Sequence, residues 1–216
     1  MPRFFAAQAG RRGPKGGASL EDYFDALRFG LPRLPALAHR LDRETSGCLV
    51  LGRHRKALAD LNLLFRNGKI GKTYWAVVEG GPAEPEGHID MPLGRLDDKI
   101  GWWMKHDPNG LPSQSTWKVM GRADGMTWLA LQPITGRTHQ LRVHCAESGF
   151  PVLGDNIYGT APRTGGTRLH LLAREVVVPL YKNKPPIKVT APVPEHMKER
   201  LIACGWREKP DAAIQN

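Results

Sequence analysis

Cysteine is scarce in this sequence of 216 residues: Cys48, Cys145 and Cys204 are odd in number and scattered. Neither a disulfide framework nor a zinc ribbon is supported, and a reduced, cytoplasmic setting is expected. Long apolar runs are also missing. None approaches the length that crosses a bilayer, so no membrane partner is expected. Acid is absent from the first twenty residues, which carry Arg3, Arg11, Arg12 and Lys15 and lack the apolar centre of a secretory signal. No internal repeat is visible. The length suits one full domain.

What the chain has in excess is positive charge. Lys and Arg number 31 against 21 acids, giving a net charge of +10 and a pI near 9.8. That balance favours a polyanionic partner, nucleic acid first, over a merely solvated basic face. The charge is also clustered. Between Gly52 and Lys72 lie Arg53, Arg55, Lys56, Arg66, Lys69 and Lys72, with Asp60 the single acid.

The periodicity predicts a short helix over Leu20–Phe29 with Leu20, Tyr23, Phe24 and Leu27 on one face, and a buried strand over Cys48–Gly52. An amphipathic helix is expected from His54 to Arg66, stopped by Asn67-Gly68, then a strand over Lys72–Gly80. Gly81–Asn109 reads as a region punctuated by Pro and Gly. Strands are expected over Ser115–Met120, Met126–Gln132, Arg168–Val178 and Ile187–Thr190. One helix is expected from about Thr138 to a Gly149 cap, and another from Pro194 to Gly205. Strands in succession with few helices between them predict an α+β fold with a mixed, mainly antiparallel sheet. Residues 1–16 are expected to be a basic, disordered or truncated segment, 17–206 one folded domain, and 207–216 a polar tail.

Three suggestive patterns fail on physical grounds. Gly71-Lys72-Thr73 lacks the glycine that a phosphate-binding loop needs five residues earlier, where Arg66 stands, and a strand follows it rather than a helix. His139 and His144 sit about 140° apart around a helix, with no third ligand at useful spacing, so no metal site is expected. Trp102 and Trp103 could stack on bases, but neighbouring strand residues face opposite sides, which favours core for one of them.

One pattern holds. His39 to Gly47 reads HRLDRETSG, with Asp42 set between Arg40 and Arg43 directly before an apolar stretch. Three further segments follow it: GKTYWAVVEG, PITGRTHQLRVHCAESGFPVLGDNIYG, and RLHLLAREVVVP with APVP after it. In this order they resemble the motifs of the RluA-type pseudouridine synthases, which isomerise uridine in RNA, and the likeness runs from about Gly16 to Arg200. The resemblance implies that 17–206 is a single catalytic domain with a central active-site cleft, that Asp42 is the catalytic aspartate, Tyr74 the tyrosine that packs on the target base, and Arg142 the arginine that pairs with the aspartate. Arg40 matches the residue that enters the RNA stack in place of the extruded nucleotide. Arg43, Arg55, Lys56, Arg137 and His139 are expected to touch RNA. The chain departs from the family at its start: of the usual Lys-Pro-Ala-Gly turn only Ala9-Gly10 is present, and no separate RNA-binding domain is expected before residue 17.

The chemistry asks for the same residue types. Turning a uracil from its N1 to its C5 attachment oxidises nothing and imports no group, so neither cofactor nor metal is expected. It needs an ionised carboxylate in a water-poor pocket, as nucleophile or as base. Burial alone would favour the neutral acid, and a nearby guanidinium offsets this. Arg142 is the candidate, with Arg137 its rival. An extruded base needs a flat surface, which Tyr74 offers, and a planar guanidinium such as Arg40 can fill the gap left behind. The expected activity is therefore an isomerase acting as a monomer on structured RNA, ribosomal first and otherwise transfer RNA. Its rivals are a basic RNA-binding module without turnover and a hydrolase using Asp42 and a histidine.

Overall fold

A computed structural model describes residues 20–97 and 103–208 of the chain. The expectations for 1–16, for Trp102 and for most of the 207–216 tail lie outside the described residues. The described part begins with a 3-10 helix, Leu20–Leu27, and the strands β1 (Ala36–Leu37), β2 (Ser46–Gly47) and β3 (Leu51–Gly52). Helix α1 (Arg55–Arg66) precedes β4 (Gly71–Glu79), β5 (Glu86–Asp90), β6 (Leu93–Arg95), β7 (Met104–His106), β8 (Gln114–Ala123) and β9 (Met126–Pro133). Then come α2 (Gln140–Glu147), β10 (Leu171–Val178), β11 (Ile187–Thr190) and α3 (Glu195–Ala203).

The main sheet runs β11-β10-β4-β9-β8-β5, antiparallel throughout, and β2 adds a parallel pairing to β10. This is the mixed, mainly antiparallel sheet of an α+β fold. Two small antiparallel pairs, β1 with β3 and β6 with β7, flank it. Side chains alternate across a strand, so β4 serves two cores. Val77 joins Leu61 of α1 and Met197 and Leu201 of α3 on one face. Ala76 and Val78 face Leu129, Leu131 and, from α2, Leu141 and Cys145 on the other. Tyr74 belongs to this second face by the same alternation, which carries it toward α2. No described helix is long and apolar enough to cross a membrane.

Most helix boundaries follow local chemistry. His54 caps α1 by accepting the Ala57 N–H at its ring, and the helix stops at Asn67 before Gly68, whose φ is +62°. Elsewhere the structure departs from expectation. The first helix has 3-10 geometry at about 120° per residue, so Phe24 and Leu27 share a face; Phe24 is buried while Tyr23 is 61% exposed. The single strand expected over Cys48–Gly52 is two short pieces. Ser46 and Gly47 pair with β10, Cys48 donates its N–H to Ala173 O at 2.8 Å, and the chain then crosses to pair Leu51 and Gly52 with β1. It is buried because it passes between two sheets. The Gly81–Asn109 region holds β5, β6 and β7, whose short lengths and glycines hid the period of two. α2 starts at Gln140 and β10 at Leu171, slightly later than the patterns indicated.

Candidate active site

The HRLDRETSG segment is a tight loop rather than an open linker. His39 Nε2 accepts the Val50 N–H at 2.9 Å, and Thr45 donates its N–H to Asp42 O at 3.0 Å. Gly47 closes the loop with φ +119°, and a Cβ there would lie 2.3 Å from Ala173 O, so only glycine lets β2 press on β10. Burial pulls the His39 ring down to about 4 against the opposing backbone bond at Arg40, with the charge on Lys72 contributing to the drop. His39 is therefore a neutral acceptor that pins the loop. Asp42 emerges from it with a side chain 20% exposed.

Asp42 lines a cleft of about 1010 Å³ together with Tyr74, Arg142, Lys72, Arg40 and Arg137. Arg66 is also in its wall, and the acids there are Asp42 and Glu175, so the cleft is electropositive. Such a surface suits a polyanion. Burial raises the Tyr74 phenol, and the nearby Asp42 charge raises it further, so Tyr74 stays protonated beside the carboxylate. Burial depresses Lys72.

The opposite wall is the loop before α2, which Gln140 holds. Its side-chain oxygen accepts from Thr135 Oγ1 at 2.7 Å and from the Arg137 N–H at 3.0 Å, while its amide donates to Gln114 O and Ser115 Oγ. Arg137 itself donates Nε to Pro112 O and remains at the cleft edge. His139 caps α2 with φ +53°, a left-handed conformation that costs a non-glycine residue about 1–3 kcal/mol and persists only where its surroundings fix it. Its Nδ1 lies 2.8 Å from Tyr158 Oη, and its Nε2 lies 3.9 Å from Asp42 Oδ1. Burial lowers the ring; Asp42 and Asp155 oppose this, and Arg142 and Arg40 add to it. His139, expected to touch RNA, stands beside the carboxylate.

The expected pair between Arg142 and Asp42 is not formed. Arg142 is 2% exposed and gives Nε and Nη2 to the two oxygens of Asp155, each at 2.7 Å. A buried guanidinium requires an anion with matching geometry, and Asp155 in the turn after α2 supplies it, also accepting the Ile157 and Tyr158 N–H groups. The pairing holds the Asp155 carboxyl low despite burial and keeps Arg142 charged. Arg142 still borders the cleft, and Asp42 contributes to its field. Its guanidinium also lies 5.3 Å from the Tyr158 ring centre. Arg137 makes no ion pair with Asp42 either: among the described residues, His139 is the one ionisable partner within 4.0 Å of that carboxylate.

Arg40 lines the cleft, whereas Arg43, Arg55 and Lys56 are exposed and outside its lining, with Lys56 3.6 Å from Asp60. Asp155 and Tyr158 were missed as functional residues. The signal available was the GDNIYG turn itself, whose acid follows a buried helix that needed an anionic partner for its arginine. Among the described residues, no group of His, Cys, Asp and Glu could hold a metal ion.

Comparison with known proteins places this geometry. Residues 18–147 match the model of the RNA pseudouridylate synthase family. The chain is 41% identical over 182 residues to an uncharacterized RNA pseudouridine synthase of Zymomonas mobilis, covering 83% of each. It is 34% identical to the ribosomal large subunit pseudouridine synthase C of Vibrio vulnificus, covering 85% of this chain and 61% of that one. Human RNA pseudouridylate synthase domain containing 1 superposes with a TM-score of 0.69 at 26% identity, covering 88% of this chain and 83% of the other.

Proposed function

This chain belongs to the RNA pseudouridylate synthase family, whose members are isomerases acting on RNA, and we propose that it converts specific uridines of structured RNA to pseudouridine through Asp42. The observation that carries this reading is the placement of Asp42, partly exposed beside the protonated Tyr74 at the wall of a basic cleft. Ribosomal RNA is the first substrate, as in the name of the Vibrio vulnificus relative, and transfer RNA the second.

An extruded uracil lies against the Tyr74 ring, with the Asp42 carboxylate as nucleophile or base at the sugar-base junction. Arg40 fills the vacated stack. Arg142 supplies positive potential to the pocket through a guanidinium whose position Asp155 fixes. Arg43, Arg55, Lys56 and Arg137 meet phosphates around the rim, and His139 stands beside the carboxylate. One catalytic domain over residues 17–206 works as a monomer in the cytoplasm and uses no cofactor.

The test is a transcriptome-wide map of pseudouridine in cells with and without the gene, scored after chemical tagging, followed by assay of the purified chain on the RNA identified. Loss of discrete tagged positions in large-subunit ribosomal RNA, restored by the purified chain without release of free uracil, is the expected result. Identical maps would overturn the assignment, and free uracil would point to the hydrolase.

A further inference from the structure

Tyr158 connects two parts of the molecule that are distant in sequence. Its hydroxyl oxygen accepts the Met104 N–H at 2.9 Å, from β7 of the hairpin beside the main sheet, and lies 2.8 Å from His139 Nδ1. Because the oxygen already accepts from Met104, its own proton is the one it has to give, and Nδ1 is the acceptor within reach. The proton of a neutral His139 then sits on Nε2, which faces Asp42 Oδ1 at 3.9 Å. The reverse tautomer would aim a bare lone pair at a carboxylate and leave the Tyr158 hydroxyl proton without a partner. At 3.9 Å the contact is electrostatic, and such contacts tighten to hydrogen bonds when substrate binds.

We propose that His139 and Tyr158 are positioning residues for Asp42, and that through them the docking of the β6–β7 hairpin sets the orientation of the reactive carboxylate. The inference rests on Asp42 being that carboxylate. The groups facing the His139 ring are Asp42 and Arg40 from the loop before β2, Arg142 from α2, and Asp155 and Tyr158 from the turn after α2. Burial first, then the two arginines and the Tyr158 proton, disfavour imidazolium, while the two aspartates favour it. Removing the Tyr158 hydroxyl tips this balance, frees Nδ1 to take a proton, and detaches the hairpin's backbone from the ring.

Two measurements test this. Nitrogen-15 NMR of the labelled histidines reads the His139 tautomer and needs no turnover; assignment uses His139→Gln. The parent is expected to show neutral His139 with the proton on Nε2 at pH 7, and Tyr158→Phe a tautomer mixture. Single-turnover rates on an unmodified large-subunit ribosomal RNA transcript read the consequence. Tyr158→Phe should slow the reaction about tenfold, with RNA affinity within about twofold, since misplacing a reacting group costs rate rather than binding. Its rate should also begin to fall at a higher pH than the parent's as acid is added, because Nδ1 is then free to take a proton although burial still holds the ring down. Tyr158→Phe added to His139→Gln should cause no further loss. An Nδ1–H tautomer in the parent, a parental pH profile in Tyr158→Phe, or multiplying effects in the double variant would overturn the proposal. If the parent isomerises no uridine, the assigned function fails, while the nitrogen spectrum still decides the tautomer on which the relay depends.

Discussion

The loop 39–47 and the turn 154–159 each bring one aspartate to the first turn of α2, and the two carboxylates are held in opposite ways. Asp155 has a side chain with no exposed surface, and its oxygens accept two bonds from Arg142 and two from backbone N–H groups. Asp42 is 20% exposed, faces the cleft, and has His139 at 3.9 Å as its ionisable partner. A buried carboxylate tied down by four hydrogen bonds is poorly placed to attack or take a proton, whereas a partly exposed one without such bonds is free to do so. On the proposed function, the turn builds the site and the loop acts in it. The arginine that sequence alone would give to Asp42 belongs first to Asp155.

That division of labour can be broken most severely at Arg142. Arg142→Met leaves the Asp155 carboxylate buried without its counter-ion, a loss of about 3–5 kcal/mol. A melting curve should fall by about 10 °C, as a chain of this size loses about 2–4 °C per kcal/mol. Asp155→Asn should fall by a similar amount, and Arg142→Met with Asp155→Leu should recover part of it. Unchanged melting in Arg142→Met would place the arginine's main role elsewhere.

A smaller effect comes from acid. His39 is neutral in the fold, held down to about 4, whereas an unfolded histidine protonates near 6.5. Its contribution is present above 6.5 and is lost as pH falls toward 4, on the order of 3 kcal/mol in all. Asp155 works in the same direction lower down, because its depressed carboxyl contributes stability until pH drops below the ordinary carboxylate range. Denaturant midpoints measured from about pH 7 to 4 should decline in the parent and decline less in His39→Asn. Parallel curves would show that the loop is pinned by something other than the neutral ring.

The smallest effect is expected away from both loops. Reversing exposed Arg55 and Lys56 to glutamate should leave melting and single-turnover rate unchanged and weaken RNA binding several-fold. The slope of log affinity against log salt should flatten by about 0.7–0.9 for each phosphate that is no longer neutralised. A changed rate at saturating RNA would show that this surface reaches the site.

Much of this was legible in the sequence. Asp42, Tyr74 and Arg40 line one cleft, and it was the resemblance of HRLDRETSG and GKTYWAVVEG to the family's motifs that singled them out. The helix ends at Gly68, Gly149 and Gly205 were readable because positive φ is where glycine stands in a chain. The partner of Arg142 was not readable, because which anion meets a buried cation depends on a turn thirteen residues on folding back over α2. The strands between Gly81 and Asn109 were hidden by their shortness, and the split near Cys48 by uniform burial between two sheets, which leaves no alternation to read.

The central claim is that Asp42 is the reactive carboxylate, and the most direct measurement is pseudouridine formed by Asp42→Asn under single turnover. The substitution keeps the shape and removes the charge. Pseudouridine should be undetectable, while melting stays within a few degrees of the parent and RNA affinity within about tenfold, since phosphate contacts supply most of the binding. Near-normal conversion by Asp42→Asn would contradict the account.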